Sequence, residues 1–200
     1  RHTVFFDRFY REVVGLEAED MMDTLDQSYE YMSETFVGAF GFLAYVVDQL
    51  RLHPDDKKLL ATALTVYQMW IEGVLALSVM KITLSFCKEH NVLPGFHKGF
   101  LATTRDESRH VYFGMKLLQE LLHEDPSLAT VVNETLFTLL NMSSTYTRQI
   151  FYDPLGVDRD TVRAGMMRNL MKKVNQVGLK LAPELEKRIA EIVPEAAAGG

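Results

Sequence analysis

The stretch LLATALTVYQMWIEGVLALSVM, residues Leu59 to Met80, holds one charged side chain, Glu72, among its 22 residues, with Lys57 and Lys58 before it and Lys81 after it. Apolar residues recur along it at three- and four-residue spacing, the period of a helix whose face is buried. A lone ionised carboxylate in an apolar interior costs several kcal/mol unless a cation, a metal or hydrogen bonds compensate it. Glu72 therefore calls for a partner, and a divalent metal is one candidate. An arginine, or a position facing water, would also satisfy it. The length suits a bilayer, but Thr62, Thr65, Gln68 and Ser78 dilute the apolarity and Glu72 falls near the middle. No other segment matches it, so no transmembrane helix is expected.

Helical period extends outward in both directions, and no run of strict alternation is bounded by hairpin turns. A first helix is predicted from His2 to Val14, ended by Gly15. A second is predicted from Glu19 to Leu50, with Gly38 and Gly41 as points where it could break. Pro54 and Asp56 then open the long helix Asp56–Glu89. The turn Asn91–Gly95 leads into a helix over Phe96–His123. Glu124-Asp125-Pro126-Ser127 starts another that reaches Phe151. Asp153-Pro154-Leu155-Gly156 separates that one from a helix over Asp158–Val177, and Pro183 opens a short last one. The Ala-Ala-Ala-Gly-Gly tail is expected to fray. Long helices joined by short turns make antiparallel neighbours, so the expected fold is an all-α bundle in one domain, residues 1–200.

Glu107-Ser108-Arg109-His110 puts a carboxylate and an imidazole three residues apart, one turn apart on one helix face. The same face continues through Phe100, Thr103, Gly114, Leu117 and Leu121, an apolar stripe expected to point inward. Glu-x-x-His alone is a weak signal, since chance supplies it on many solvated helices. Beside an inward Glu72 it becomes half of a dinuclear carboxylate constellation: one Glu from each of two helices and a Glu-x-x-His from each of two others. Carboxylate and imidazole ligands suit iron and manganese better than the thiolate sites that select zinc or copper. Asp106 is a candidate acceptor for the N–H of a ligating imidazole. A plain surface acid is the other reading.

Composition narrows the class. The 200 residues carry a formal charge of −6, and no Lys/Arg run offsets it, so nucleic acid is not an expected partner. One cysteine, Cys87, cannot form an internal disulfide, which makes a reducing cytoplasm the default location. His53, His90, His97 and His123 stand near predicted helix ends and need no metal to explain them. Glu30 and Glu34 lie in polar surroundings and are read as solvated. The methionines, at helical spacing, are read as core filler.

Three strings carry a resemblance: Tyr67-Gln-Met-Trp-Ile-Glu-Gly-Val-Leu-Ala-Leu77, then Val92-Leu-Pro-Gly95, then Asp106-Glu-Ser-Arg-His-Val-Tyr-Phe-Gly114. Together they resemble the ribonucleotide reductase small-subunit superfamily, whose fold is a ferritin-like helical bundle. The Glu-Gly-x-Leu-Ala-Leu string, the Leu-Pro-Gly turn, the 35-residue step from Glu72 to Glu107 and the Arg before His110 look most like its ligand-binding oxidases. Arg1-His2-Thr3 and the Phe-rich segment to Gly15 resemble the region around that family's first metal-binding histidine. The resemblance implies His2, Glu72, Glu107 and His110 as metal ligands. It also implies a manganese/iron or di-iron centre activated by dioxygen, a bound long-chain fatty acid or similar apolar small molecule, and a homodimer. Two further ligand glutamates would stand upstream of residue 1, making this chain the C-terminal two-thirds of a larger metal-binding domain.

Tyr67 resembles the tyrosine that forms an ether cross-link in those oxidases, which would make it a catalytic-site residue. A core aromatic with a hydrogen-bonded hydroxyl explains it equally well. Phe6 stands where many reductase subunits carry a radical tyrosine. The function expected is thus a dioxygen-activating oxidase. The alternatives are a radical-generating reductase subunit using a metal-based oxidant, and a non-catalytic helical scaffold. Glu186 to Gly200 contains no aromatic residue, which speaks against a tyrosine relay in the tail.

Overall fold

The computed structural model of the chain describes residues 2–29, 34–146 and 153–192, and every regular element among them is helical. Helix α1, His2–Phe9, continues as a π-helical segment, Tyr10–Val14, and stops at Gly15, whose φ of 79° a side chain would oppose. Helices α2, Met21–Tyr29, and α3, Glu34–Leu52, follow. Next come α4, Lys57–Leu64, a π-helical segment, Thr65–Ala76, and α5, Leu77–Glu89, which together run as one rod. The rest are α6, Pro94–Glu124, α7, Leu128–Tyr146, α8, Arg159–Val177, and α9, Pro183–Ile192.

Start and stop signals act where the sequence places them. Asp56 Oδ1 accepts from the amides of Lys58 and Leu59, at 2.8 and 3.1 Å, which satisfies two donors that α4 leaves unpaired. Asp158 does the same for α8, accepting from the Thr161 amide at 2.7 Å, and Gly178, at φ 70°, ends that helix. Asn91 and Leu93 both adopt positive φ in the turn before Pro94 opens α6.

One expectation changes. Within the predicted helix over Glu19–Leu50 the described residues form α2 and α3, and no break occurs at Gly38 or Gly41, which lie inside α3. Gly38 is a packing residue instead: a Cβ there would come 3.0 Å from Cε of Met142 on α7. The predicted end at Phe151, Glu30, the side chain of Glu34 and the Ala/Gly tail lie outside the described residues.

The rod 57–89 forms the axis of the bundle. Its π segment packs against α3, α6, α7 and α8. By length and composition this rod could cross a membrane. Here its apolarity is spent on the core: Ala61, Val66, Met69, Trp70, Val74 and Leu75 are at most 2% exposed, closed over by Met115, Leu118, Leu136, Leu140 and Leu170. Each large side chain so buried contributes about 1.5–3 kcal/mol relative to exposure.

Helix α1 is seated on α6 by aromatic packing. The Phe5 ring occupies the space that a side chain on Gly99 would need, so this close approach requires glycine. Ring centroids of Phe9 and Phe96 lie 4.2 Å apart, and those of Phe6 and Phe100 lie 5.7 Å apart in an edge-to-face contact. The two helices run antiparallel, with Phe9 beside Phe96 at one end and His2 beside Asp106 and Glu107 at the other.

A candidate metal centre

Glu72 lies in the π segment and is 6% exposed. Bonding from residue i to i+5 widens each turn, so a residue five positions back shares a side of the helix with its partner. Tyr67 is five residues before Glu72 and Gln68 four, and both reach its carboxylate. The Gln68 amide, with nitrogen toward the acceptors, donates to Glu72 Oε2 and to the His110 carbonyl oxygen, each at 2.8 Å. It fits because α6 carries Gly114 there: a Cβ would collide with Cβ and Cγ of Gln68. The Tyr67 phenol is the other hydrogen-bonding neighbour of Glu72. Asn169 of α8 donates to the Gly73 carbonyl oxygen at 2.8 Å, which ties the following π residue in place.

Charges converge on this point. Burial raises the Glu72 pKa above the ordinary carboxylate value; the Tyr67 hydrogen bond opposes that rise, the negative charge of Glu107 adds to it, and His110 opposes it. Burial also pushes the Tyr67 phenol up to about 12, with Glu72 and then Glu107 adding to the rise. No arginine or lysine pairs with Glu72 among the described residues.

Glu107 sits between two imidazoles, its Oε1 3.2 Å from Nδ1 of His2 and its Oε2 3.1 Å from Nδ1 of His110. His110 Nδ1 is also 4.0 Å from Glu72 Oε1. The donor atoms of Glu72, Glu107 and His110 all lie within 4.8 Å of one another. Atoms that share an ion at about 2.0–2.2 Å stand roughly 3–4 Å apart, so small side-chain adjustments would bring the three onto one cation. Asp106 Oδ2 is 3.2 Å from His2 Nε2, while its Oδ1 accepts from Arg109 at 2.9 Å. With Nε2–H donated to Asp106, a neutral His2 would turn its Nδ1 lone pair toward Glu107. A cation between the two, or a second proton on the ring, removes that repulsion.

Of the residues expected as ligands, Glu72, Glu107 and His110 come together, and His2 meets Glu107, although α1, α2, α3, the rod 57–89 and half of α6 separate His2 from His110 in the chain. Asp106 contacts His2 across the helix pair. His110 is less inward than expected: its side chain is 56% exposed, because the buried stripe of α6 runs through Thr103, Val111, Gly114, Met115 and Leu118 and leaves His110 on its rim. Gln68 was not legible as a site residue. Gly114 on an otherwise apolar stripe was the available signal that another side chain crosses α6 there.

A buried Glu72, a part-buried Glu107 and His110 in a helical bundle form a group of side chains that could hold a metal ion. Among solved structures, the R2-like ligand-binding oxidase from Sulfolobus acidocaldarius matches with a TM-score of 0.69 and 23% identity, covering 88% of this chain and 60% of that one. The fold is thus the R2-like, ferritin-like helical bundle, and the chain spans 60% of the length of the structure it matches. No protein-family model and no curated protein sequence matches it.

Proposed function

We propose that the chain is a metal-dependent oxidoreductase, a dioxygen-activating oxidase with a dinuclear manganese/iron or di-iron centre. The supporting observation is Glu72, a buried carboxylate that faces a second carboxylate and an imidazole and whose hydrogen-bond partners among the described residues are the neutral Gln68 and Tyr67. Two apposed carboxylates repel unless a proton or a cation lies between them. Oxygen and imidazole donors without a thiolate match iron and manganese.

Glu72, Glu107, His110 and His2 would hold the metals, and the resemblance assigns the remaining glutamates to helices preceding Arg1. A bound metal pair would supply the electrons that reduce dioxygen. The protein's part is positional. Gln68 occupies one oxygen of Glu72 and leaves the other facing His110. Asp106 fixes the His2 ring and turns Nδ1 inward. Tyr67 stays protonated and donates toward Glu72, and its place beside that carboxylate also suits the proposed ether cross-link.

A cavity of about 610 Å³ begins at His2 and runs between α1, α2, α3 and α5, lined by Phe6, Leu25, Phe36, Phe40, Val79, Met80 and Phe100. Its size and lining suit an apolar small molecule such as a long-chain fatty acid. Its buried acid, Asp7, is already engaged by Arg11 and by the Thr24 hydroxyl, at 3.0 and 2.8 Å. A cytoplasmic homodimer completes the proposal.

Elemental analysis of protein purified from its native source, with intact mass on the same sample, is the test. Close to two manganese or iron equivalents per chain are expected, with a mass that includes the further ligand helices. Protein that stays metal-free after anaerobic incubation with manganese(II) and iron(II) would overturn the proposal.

A further inference from the structure

A second cleft shares no residue with the carboxylate cluster or with the cavity that begins at His2. It has a volume of about 420 Å³ and lies between α5 and α8, with Leu155 and Val157 along one side. Three cations line it, Lys81 from α5 and Arg168 and Lys172 from α8, against one acid, Glu89. In a chain of net charge −6 this is a local inversion. Among the described residues no ion pair involves Lys81, Arg168 or Lys172; Lys58, Lys98 and Lys187 are likewise without one, but Lys81, Arg168 and Lys172 line a single cleft. Arg168 and Lys172, four residues apart on one face, repel each other. Glu89 is the one acid that lines the cleft against them.

Gly165 lines the cleft from inside α8. An added Cβ there would meet only Arg168 Nη2, at 3.9 Å, so the surface beneath the Arg168 guanidinium is open. Around that opening the wall is apolar, formed by Leu77, Ile82, Phe86 and Val162, with the hydroxyls of Ser78 and Thr161 beside it.

We propose that the cleft between α5 and α8 binds a small amphipathic anion, its phosphate or carboxylate head held by Lys81, Arg168 and Lys172 and its apolar body laid over Gly165 against Ile82, Phe86 and Val162. An arginine fork grips two oxygens of such a head and an ammonium adds a point charge. The volume lies within the range of small-molecule sites.

The test is isothermal titration of the whole chain with decyl phosphate, kept below its micelle concentration. Saturable binding is expected, weakened about tenfold or more in the Arg168→Gln/Lys172→Gln double variant and in Gly165→Leu, which fills the floor without altering charge. Decanol and inorganic phosphate should each bind at least about tenfold more weakly than decyl phosphate, since each offers half of the recognised chemistry. Circular dichroism confirms that Gly165→Leu retains its helix content, and the surface double variant carries the test independently if it does not. Equal affinity for decanol would overturn the head-group assignment. Unchanged affinity in the double variant would place the ligand elsewhere, for example in the cavity at His2. Cosedimentation with phosphatidylglycerol vesicles that the double variant abolishes, without binding of free decyl phosphate, would make the cations a bilayer contact and overturn the small-molecule site.

Discussion

Glu72 is held toward its protonated form in the metal-free protein, by burial first and by Glu107 as well. A carboxyl whose folded-state pKa is raised destabilises the fold once ionised, and the penalty is absent where folded and unfolded forms are both protonated. Glu72→Gln keeps acceptor and volume but removes the charge, so the metal-free variant should melt a few degrees higher at neutral pH. The gain should vanish as pH falls through the Glu72 pKa and the parent protonates. The same variant should lose tight metal binding, as should Glu107→Ala and His110→Ala, while His53→Ala keeps it. Equal metal content in all of them would sink the site. Tyr67 makes a separate prediction. Its pKa is raised to about 12 from 10.0, so stability that comes from the neutral phenol is complete below pH 10 and is lost as pH rises toward 12. Ultraviolet titration of Tyr67→Phe against the parent should remove a component near the upper end of that window. Removal of an ordinary component near 10 would show that the Tyr67 phenol is neither shielded from water nor held beside a carboxylate.

At the scale of the element, the π segment and two glycines decide where the side chains go. Gly114→Ala puts a methyl group where Gln68 lies, and overpacking of this kind costs about 1–3 kcal/mol. Gly41→Ala in α3 meets nothing within 4 Å and should stabilise by up to about 1 kcal/mol, which makes it the control in a denaturant series. If both substitutions stabilise, Gln68 does not cross α6 as described. The helices themselves were legible because burial on one face repeats at the helical period, and Gly15, Asp56 and Pro183 mark their ends with local chemistry. The π segment was not legible. Its composition is that of any buried helix, and the i to i+5 pattern leaves no periodic signature over residues that are nearly all buried. Gly38 shows the same limit from the other side: a glycine in a helical run is read as a break from sequence, whereas a facing Met142 makes it a contact.

Across the whole molecule, the site depends on two helices meeting that are far apart in sequence. Periodicity located Glu72, Glu107 and His110, since Glu72 stands out on the apolar rod and the Glu107/His110 pair on one face of α6. It offered no way to put residue 2 beside residues 106 and 107, because that meeting is made by Phe5 against Gly99 and by ring packing along α1 and α6. A cluster assembled in this way couples metal binding to the stability of the bundle, because the unfolded chain separates His2 from its partners and a cation that binds only the assembled site stabilises the folded state by mass action. At a free metal concentration a hundredfold above the dissociation constant the gain is about 2.7 kcal/mol, or roughly 5–11 °C in Tm for a domain of this size. Anaerobic thermal unfolding with manganese(II) or iron(II) should show that rise, a chelator should reverse it, and Glu107→Ala should show none. The rise should shrink in acid, where protons compete with the metal for Glu72. Gly99→Val, which levers α1 away from α6, should reduce the metal-dependent rise even though it touches no proposed ligand. A full rise in Gly99→Val would mean that the cation binds on α6 and the π segment alone, and that His2 is not one of its ligands.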